Sequence, residues 1–455
     1  MSTFIELLPI GMLLVLAILL FSGLPIGFIL AGVGLGFAAI GISLGEMNYM
    51  ELFSLTTRAF HTVGESLIYP AVPMLLFMGL MLERSGIARD MLLCLQVLLR
   101  RLPANLAISL AILGLILAPS AGLIGASVAT LTLIAMPTML KQGYQPSFAA
   151  GSIAASGTLG IIFPPAIMLF FLADLLNVTM GFMLLAPVVP VFLLLTFYIT
   201  YFVLVGTFKP QMAPQNKTAS LLSTGALFLY AFRSLVLPIG LILLILGSII
   251  GGFATPTQSG AVGAAGALLV TTINRTLSFT LLKEALRQTT TLTCMVFFVV
   301  IAASVFSYTF RSLYGDQLIV ELLSSLGLGN WGTLAMILVI IFLLGFVIDW
   351  IEIALITLPI FYPLLEQLDF SASFATKQEA FAWIAVLIAI NLQTSFMTPP
   401  FGFALFFLKG SAPPSVTMLQ IYRGIVPFVL IQLSVLSLVM SFPWLATALP
   451  ASLIK

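Results

Sequence analysis

The chain has 455 residues, 61% of them hydrophobic and 7% charged, with a formal net charge of +2 and a mean hydropathy of +1.22. A soluble protein carries charge on about a quarter of its residues, so a water-soluble domain is excluded, and so small a charge gives no basis for nucleic-acid binding. The apolar runs are long, where barrel strands would show short alternating segments. What remains is an all-α polytopic membrane protein.

From Leu7 to Leu44 the sequence is almost unbroken apolar, too long for one span of ~20 residues. The Ser22-Gly23-Leu24-Pro25 interruption implies two helices or one broken helix. Glu6 and the lack of a basic stretch before this run do not fit a cleaved signal, so the first helix is expected to stay. Gly45 to Ser66 is polar, reads as interfacial and holds His61, the single histidine. Leu67 to Leu82 spans next. Arg84, Arg89, Arg100 and Arg101 frame a basic connection, which places it in the cytoplasm. Ala104 to Ala118 spans again. The small, hydroxyl-rich stretch from Pro119 to Thr130 and its apolar continuation, about 119–140, are too short for two spans. A re-entrant hairpin fits; so does one helix with a small-residue packing face.

Ser156-Gly157-Thr158 then leads to Pro164-Pro165. Two prolines remove two backbone donors and disfavour helix at the residue before, so a helix breaks over about 156–166. After a further span from Gly181 to Val205 comes the hydrophilic linker 207–224, which divides the chain into near-equal parts, 1–206 and 225–455. Leu24-Pro25-Ile26-Gly27 recurs as Leu237-Pro238-Ile239-Gly240, Pro137 has a counterpart in Pro363, and Pro164-Pro165 in Pro399-Pro400, in the same order. Three ordered matches point to internal duplication, without revealing whether the repeat is inverted.

In the second half Asn274 to Gln288 is amphipathic and reads as interfacial, and Thr291 to Phe310 as a separate span. A second hairpin is expected at about 346–365, opening with Asp349 and Glu352. The second break, about 391–402, reads Asn391-Leu392-Gln393-Thr394-Ser395-Phe396-Met397-Thr398-Pro399-Pro400-Phe401-Gly402.

Broken helices at membrane depth are tolerated only inside protein or beside a watery cavity. Two such segments in corresponding halves mark a transporter's binding site. Ser156, Thr158, Asn391, Gln393, Thr394, Ser395 and Thr398 offer neutral oxygens, which suit a sodium ion. Half-helix N-termini present N–H groups suited to a carboxylate. The plain alternative is that these residues are packing turns with satisfied polar groups. Asp349 and Glu352 are costly at membrane depth and then functional, or sit in water at a hairpin mouth. No phosphate-cradling Gly-Lys-Ser/Thr loop, His-Glu-x-x-His or Gly-x-Ser-x-Gly occurs, so neither ATP hydrolysis nor another enzyme activity is expected, and no cofactor. Cys94 and Cys294 lie far apart in apolar runs and suit packing.

The run from Asn391 to Gly410 resembles the large, DctM-like membrane subunit of tripartite ATP-independent periplasmic (TRAP) transporters. Ser156 to Pro165, Gly122 to Thr130, Gly247 to Gln258 and Ile421-Tyr422-Arg423-Gly424 are similar to family segments as well. The resemblance implies a bacterial or archaeal inner-membrane importer that couples sodium to uptake of an organic anion. It implies two partners, a small four-helix membrane subunit and a periplasmic binding protein; the few residues before Leu7 leave no room for that subunit within this chain. The implied fold has inverted repeats, two re-entrant hairpins and an elevator-type moving domain. Carried over, the sodium-binding turns are Ser156, Gly157 and Thr158 with Gln393, Thr394, Ser395 and Thr398. The hairpin tips and substrate contacts fall on Ser120, Gly122, Gly125, Ser127, Asp349 and Glu352, with Asn391 beside them. Pro164, Pro165, Pro399, Pro400 and Gly402 make the breaks. One departure is Ala166, where many relatives have a serine. The alternative reading is a stand-alone sodium/dicarboxylate symporter that needs no binding protein.

Overall fold

The interruption at Ser22 to Pro25 makes two helices, α1 (Leu8–Leu20) and α2 (Ile26–Ser43), with Pro25 extended at the N-cap of the second. The computed structural model describes residues 7–66, 68–117, 124–215, 232–399 and 402–454. Ser120, Gly122, Pro400 and linker residues 216–224 therefore lie outside the described residues. α3 (Tyr49–Gly64) is amphipathic and opened by an Asn48/Glu51 capping box. α4 (Ala71–Arg84) and α5 (Ile87–Leu98) are bent 61° apart around Gly86, which takes a positive φ of 79°. The basic connection thus contains a helix of its own. α6 (Asn105–Ile116), α7 (Ile124–Lys141), α8 (Pro146–Leu159), α9 (Ile167–Leu175), α10 (Met180–Leu185) and α11 (Val188–Phe208) complete the first part.

After a single π-helical turn, Phe232–Val236, come α12 (Leu237–Ile250) and α13 (Pro256–Ile273). α14 (Phe279–Ser312) runs unbroken for 34 residues, about 50 Å at 1.5 Å per residue. The expected interfacial segment and the following span are therefore one rod: Ser278 caps the start and no proline interrupts it. α15 (Gly315–Ser325), α16 (Gly329–Leu344), α17 (Trp350–Gln367), α18 (Lys377–Phe396), α19 (Phe403–Ser411), α20 (Met418–Ser441) and α21 (Trp444–Leu453) follow. Among the described residues six helical stretches are long and apolar enough to cross a membrane, or seven with the bent α4–α5 pair.

Two packing groups emerge. α14 lies against α2, α3 and α4, with α13 on α4 and on α12. The other group is built around α8 and α18, with α6, α7, α19, α20 and α21 packed on one or both and α11 on α6, α20 and α21. α18 is buried over 89% of its most apolar window, where the other spanning candidates are at 39–44%; a helix apolar all round belongs inside protein. α8 and α20 touch backbone to backbone. A methyl group at Gly424 would overlap the Ser147 carbonyl, and one at Gly151 the Gly424 carbonyl, so both positions require glycine.

α6, α7, α8 and α9 follow one another as α16, α17, α18 and α19 do: short helix, 18-residue helix with internal proline, buried helix, proline break, nine-residue helix. The nine-residue helices exchange places. α9 packs on α17 and α18, and α19 packs on α7 and α8. Each helix that follows a break thus lies in the opposite set. The expected hairpin over 119–140 is, in its described part, the single helix α7, with Gly125 and Ser127 in its first turn. Over 346–365 the chain turns at residues 345–349 and continues as α17.

Candidate functional site

Ser156, Gly157 and Thr158 sit in the last turn of α8, fully buried. Gln393, Thr394 and Ser395 occupy the last turn of α18, and Thr398 the residues just beyond. The sequence suggested unwound turns here. The helices run on to Leu159 and Phe396 and close ahead of each diproline, so Ser156 to Thr158 and Gln393 to Ser395 keep helical geometry. Their hydroxyls bond back along the helix: Ser156 Oγ donates to Ser152 O (2.7 Å), Thr394 Oγ1 to Ile390 O (2.8 Å), Ser395 Oγ to Leu392 O (2.8 Å) and Thr398 Oγ1 to Thr394 O (2.8 Å). A hydroxyl whose proton is committed this way keeps lone pairs to offer elsewhere.

The two broken helices meet at Thr158. Its Oγ1 accepts from Gln393 Nε2 at 3.4 Å and lies 3.1 Å from Met397 Sδ. Gln432 of α20 also approaches Met397 Sδ, at 3.4 Å, and donates to Tyr198 OH at 2.9 Å. All of these side chains are buried. The amide oxygens Gln393 Oε1 and Gln432 Oε1 are buried without a hydrogen-bond partner, where a satisfied acceptor is the rule. Two orphaned oxygens beside hydroxyl lone pairs, with no fixed charge among them, fit a small hard monovalent cation. Among the described residues no group of three His, Cys, Asp or Glu could hold a metal ion.

Other expected residues lie outside this cluster. Asn391 turns toward α16, donating from Nδ2 to Leu338 O at 2.8 Å, a strut between helices. Asp349 and Glu352 form the capping box of α17. Trp350 N donates to Asp349 Oδ1, and Asp349 N to Glu352 Oε2, both at 2.8 Å. The turn before them still touches the cluster's helix, because a methyl group at Gly345 would overlap Ser395 Oγ. Gly125 faces the Phe407 ring of α19, with no room for a β-carbon, and Ser127 is buried. Pro164-Pro165 forms a cis bond and Ala166 caps α9. Pro399 ends the described part of the second break, and Gly402 takes a left-handed conformation at the N-cap of α19.

Sequence reasoning missed Gln432 and Tyr198. A lone glutamine within the apolar run Ile425 to Leu445 was the available signal. It also missed Glu83, at the end of α4, which accepts a hydrogen bond from Thr130 of α7 and so ties one packing group to the other.

A family described as "Tripartite ATP-independent periplasmic transporter, DctM component" matches residues 13–445. The chain belongs to this family. Relatives of this DctM chain include the C4-dicarboxylate TRAP transporter large permease protein DctM of Pseudomonas aeruginosa, 27% identical over 87% of this chain and 89% of that one. The 2,3-diketo-L-gulonate TRAP transporter large permease protein YiaN of Escherichia coli is 25% identical over 94% and 97%. The sialic acid protein SiaM of Vibrio cholerae is 24% identical over 95% and 96%. Among solved structures the YdaH transporter of Alcanivorax borkumensis superposes with a TM-score of 0.61 at 14% identity, covering 89% of this chain and 90% of that one; the likeness is one of fold. The DctM chain is thus a multi-pass inner-membrane permease subunit and not an enzyme.

Proposed function

We propose that this DctM subunit imports an organic anion by coupling it to sodium, with the group around α8 and α18 moving as an elevator against the group around α14. The observation that carries the reading is the meeting of the two broken helices at Thr158, Gln393 and Met397, with Gln393 Oε1 and Gln432 Oε1 unpartnered. A sodium ion there would take the amide oxygens and the Thr158 and Thr394 lone pairs, and would hold the ends of α8 and α18 together. That fixes α9 and α19 relative to each other. Neither has a side chain capping its N-terminus, so their first N–H groups stand ready for a carboxylate. Ion and anion then support one another through the same two breaks, which is thermodynamic coupling.

The matching order α6–α9 and α16–α19, with α9 and α19 exchanged, supports a duplicated chain divided near the linker 207–224. The elevator reading draws on the two packing groups and on the sparse polar links between them, Glu83 to Thr130 among them. The names of the relatives support a carboxylate cargo, and the family supports two partners, a small membrane subunit and a periplasmic binding protein. Reconstitution in liposomes tests this. Uptake should require an inward sodium gradient, the small subunit and the cargo-loaded binding protein. Sodium-driven uptake with no soluble partner would replace the reading with a stand-alone symporter. Uptake that stops at the equilibrium distribution would replace it with a channel.

A further inference from the structure

Away from the broken helices a cavity of about 340 Å³ opens between α3, α9, α14 and α17, within the size range of small-molecule sites. Its cation is Arg311, near the end of α14. Pro363 has no N–H, so the Pro359 carbonyl of α17 has no helical donor; Arg311 Nη2 takes that carbonyl at 2.8 Å. One arm of the guanidinium thereby ties α14 to α17. Nε, Nη1 and the second hydrogen of Nη2 remain as charged donors for a carboxylate. No described carboxylate forms an ion pair with Arg311.

Asp174 of α9 lines the same cavity, hydrogen-bonded to the Tyr69 hydroxyl. Arg311 and Asp174 therefore share one space without neutralising each other. Ser304 and Ser307 contribute hydroxyls from α14. Such a cavity has cationic donors at one place and a hydrogen-bond acceptor at another. It also lies far from the basic connection. Arg84 pairs with Glu284 near the start of α14, and Arg311 is about 40 Å further along it at 1.5 Å per residue. With the basic connection in the cytoplasm, Arg311 faces the side from which cargo arrives.

We propose that this cavity receives the incoming organic acid, its carboxylate on Arg311 and its hydroxyl or ammonium donors on Asp174. The inference rests on the importer reading above and narrows the cargo class. A donor-bearing acid, such as a sugar acid, fits both ends. A bare dicarboxylate would turn its second negative charge toward Asp174. Asp174 lies on α9, which packs on α18, so an anion bound here sits one helix away from the second broken helix.

The test uses the full chain with Cys94 and Cys294 replaced by serine and a reporter introduced by Ser307→Cys. Ser304→Cys, nearly one turn earlier, serves as a second reporter should the first disturb folding. Labelling rates are compared for an anionic (sulfonatoethyl) and a cationic (trimethylammonioethyl) methanethiosulfonate. The anionic reagent should react faster, and Arg311→Gln should reduce that preference by about fivefold or more, with Arg311→Lys restoring part of it. Gluconate should slow labelling more than succinate does, and Asp174→Asn should remove the difference. Equal rates for the two reagents, or rates indifferent to Arg311→Gln, would overturn the site. Equal protection by succinate would overturn the cargo class. Sodium-driven uptake by the full assembly is scored separately: its presence without any charge preference overturns the cavity alone, and its absence bears on the importer reading instead.

Discussion

The two breaks look alike in sequence and differ in what they contribute. At the first, Ser156 and Thr158 are short and held by their own helix, and the turn beyond closes through Ala166, an ordinary extended N-cap at φ −65°. At the second, Gln393 and Met397 reach across to Thr158, and the turn closes through Gly402 at φ +48°. The first half thus supplies a fixed receptor, and the second supplies the side chains that arrive. Under the proposed duplication, the two ends would divide the labour of one proposed ion site. The long, unbranched side chains are on the helix whose end would have to adjust when an ion enters.

This contrast is broken most directly at Gln393. Gln393→Ala removes both the donor to Thr158 and an orphaned buried oxygen, and leaves a void at the crossing. Sodium half-saturation of uptake should rise by roughly tenfold or more, equivalent to about 1.4 kcal/mol of lost ion binding. An unchanged sodium titration, with the protein still folded and inserted, would remove the residue from the ion site. Thr158→Val keeps the shape and deletes the oxygen that receives Gln393. Its effect should be several-fold and should not add to that of Gln393→Ala, because residues sharing one contact couple. Full additivity in the double variant would mean that the two helices act separately.

Backbone geometry gives a second, smaller handle. Gly402→Ala forces a β-carbon into a left-handed conformation, at a cost of about 1 kcal/mol. The thermal midpoint in detergent should fall by roughly 1–2 °C. Ala166→Gly, at an extended position, should cost nothing as an N-cap change, because glycine caps a helix better than alanine. Equal losses at the two positions would show that the turns are equivalent after all.

Much of this was legible beforehand because prolines and buried polar residues are local signals. Pro164-Pro165 and Pro399-Pro400 announce breaks wherever they occur in a membrane helix, and the polar residues ahead of them nominate a candidate site. The helical state of Ser156 to Thr158 was not legible. A proline disfavours helix only at the residue before it, so the last turn can close several residues earlier and keep its hydrogen bonds. Long-range partners were equally hidden. Nothing local says that Asn391 turns to Leu338, that Gln432 joins Met397, or that Thr130 finds Glu83, since each depends on which helices come to lie together. Asp349 and Glu352 could have been read as a capping box from their spacing. Their acidity at membrane depth drew attention to function first.

The smallest expected effect on ion binding lies at Ser156, and it is the sharpest discriminator of the proposed asymmetry. Its hydroxyl donates to Ser152 O within α8 and, among the described residues, makes no hydrogen bond to α18, whereas Thr158 one half-turn later receives Gln393. A serine bonded to its own helix contributes little to helix stability when replaced by alanine, the better helix former. Ser156→Ala should therefore shift sodium half-saturation by no more than about twofold, well under 0.5 kcal/mol. Thr394→Ala should fall between Ser156→Ala and Thr158→Val, because its oxygen sits on the helix that supplies the reaching side chains. If Ser156→Ala instead matched Thr158→Val, the ion would be contacting the whole last turn of α8, and the first break would be an equal partner in binding and not a receptor for the second.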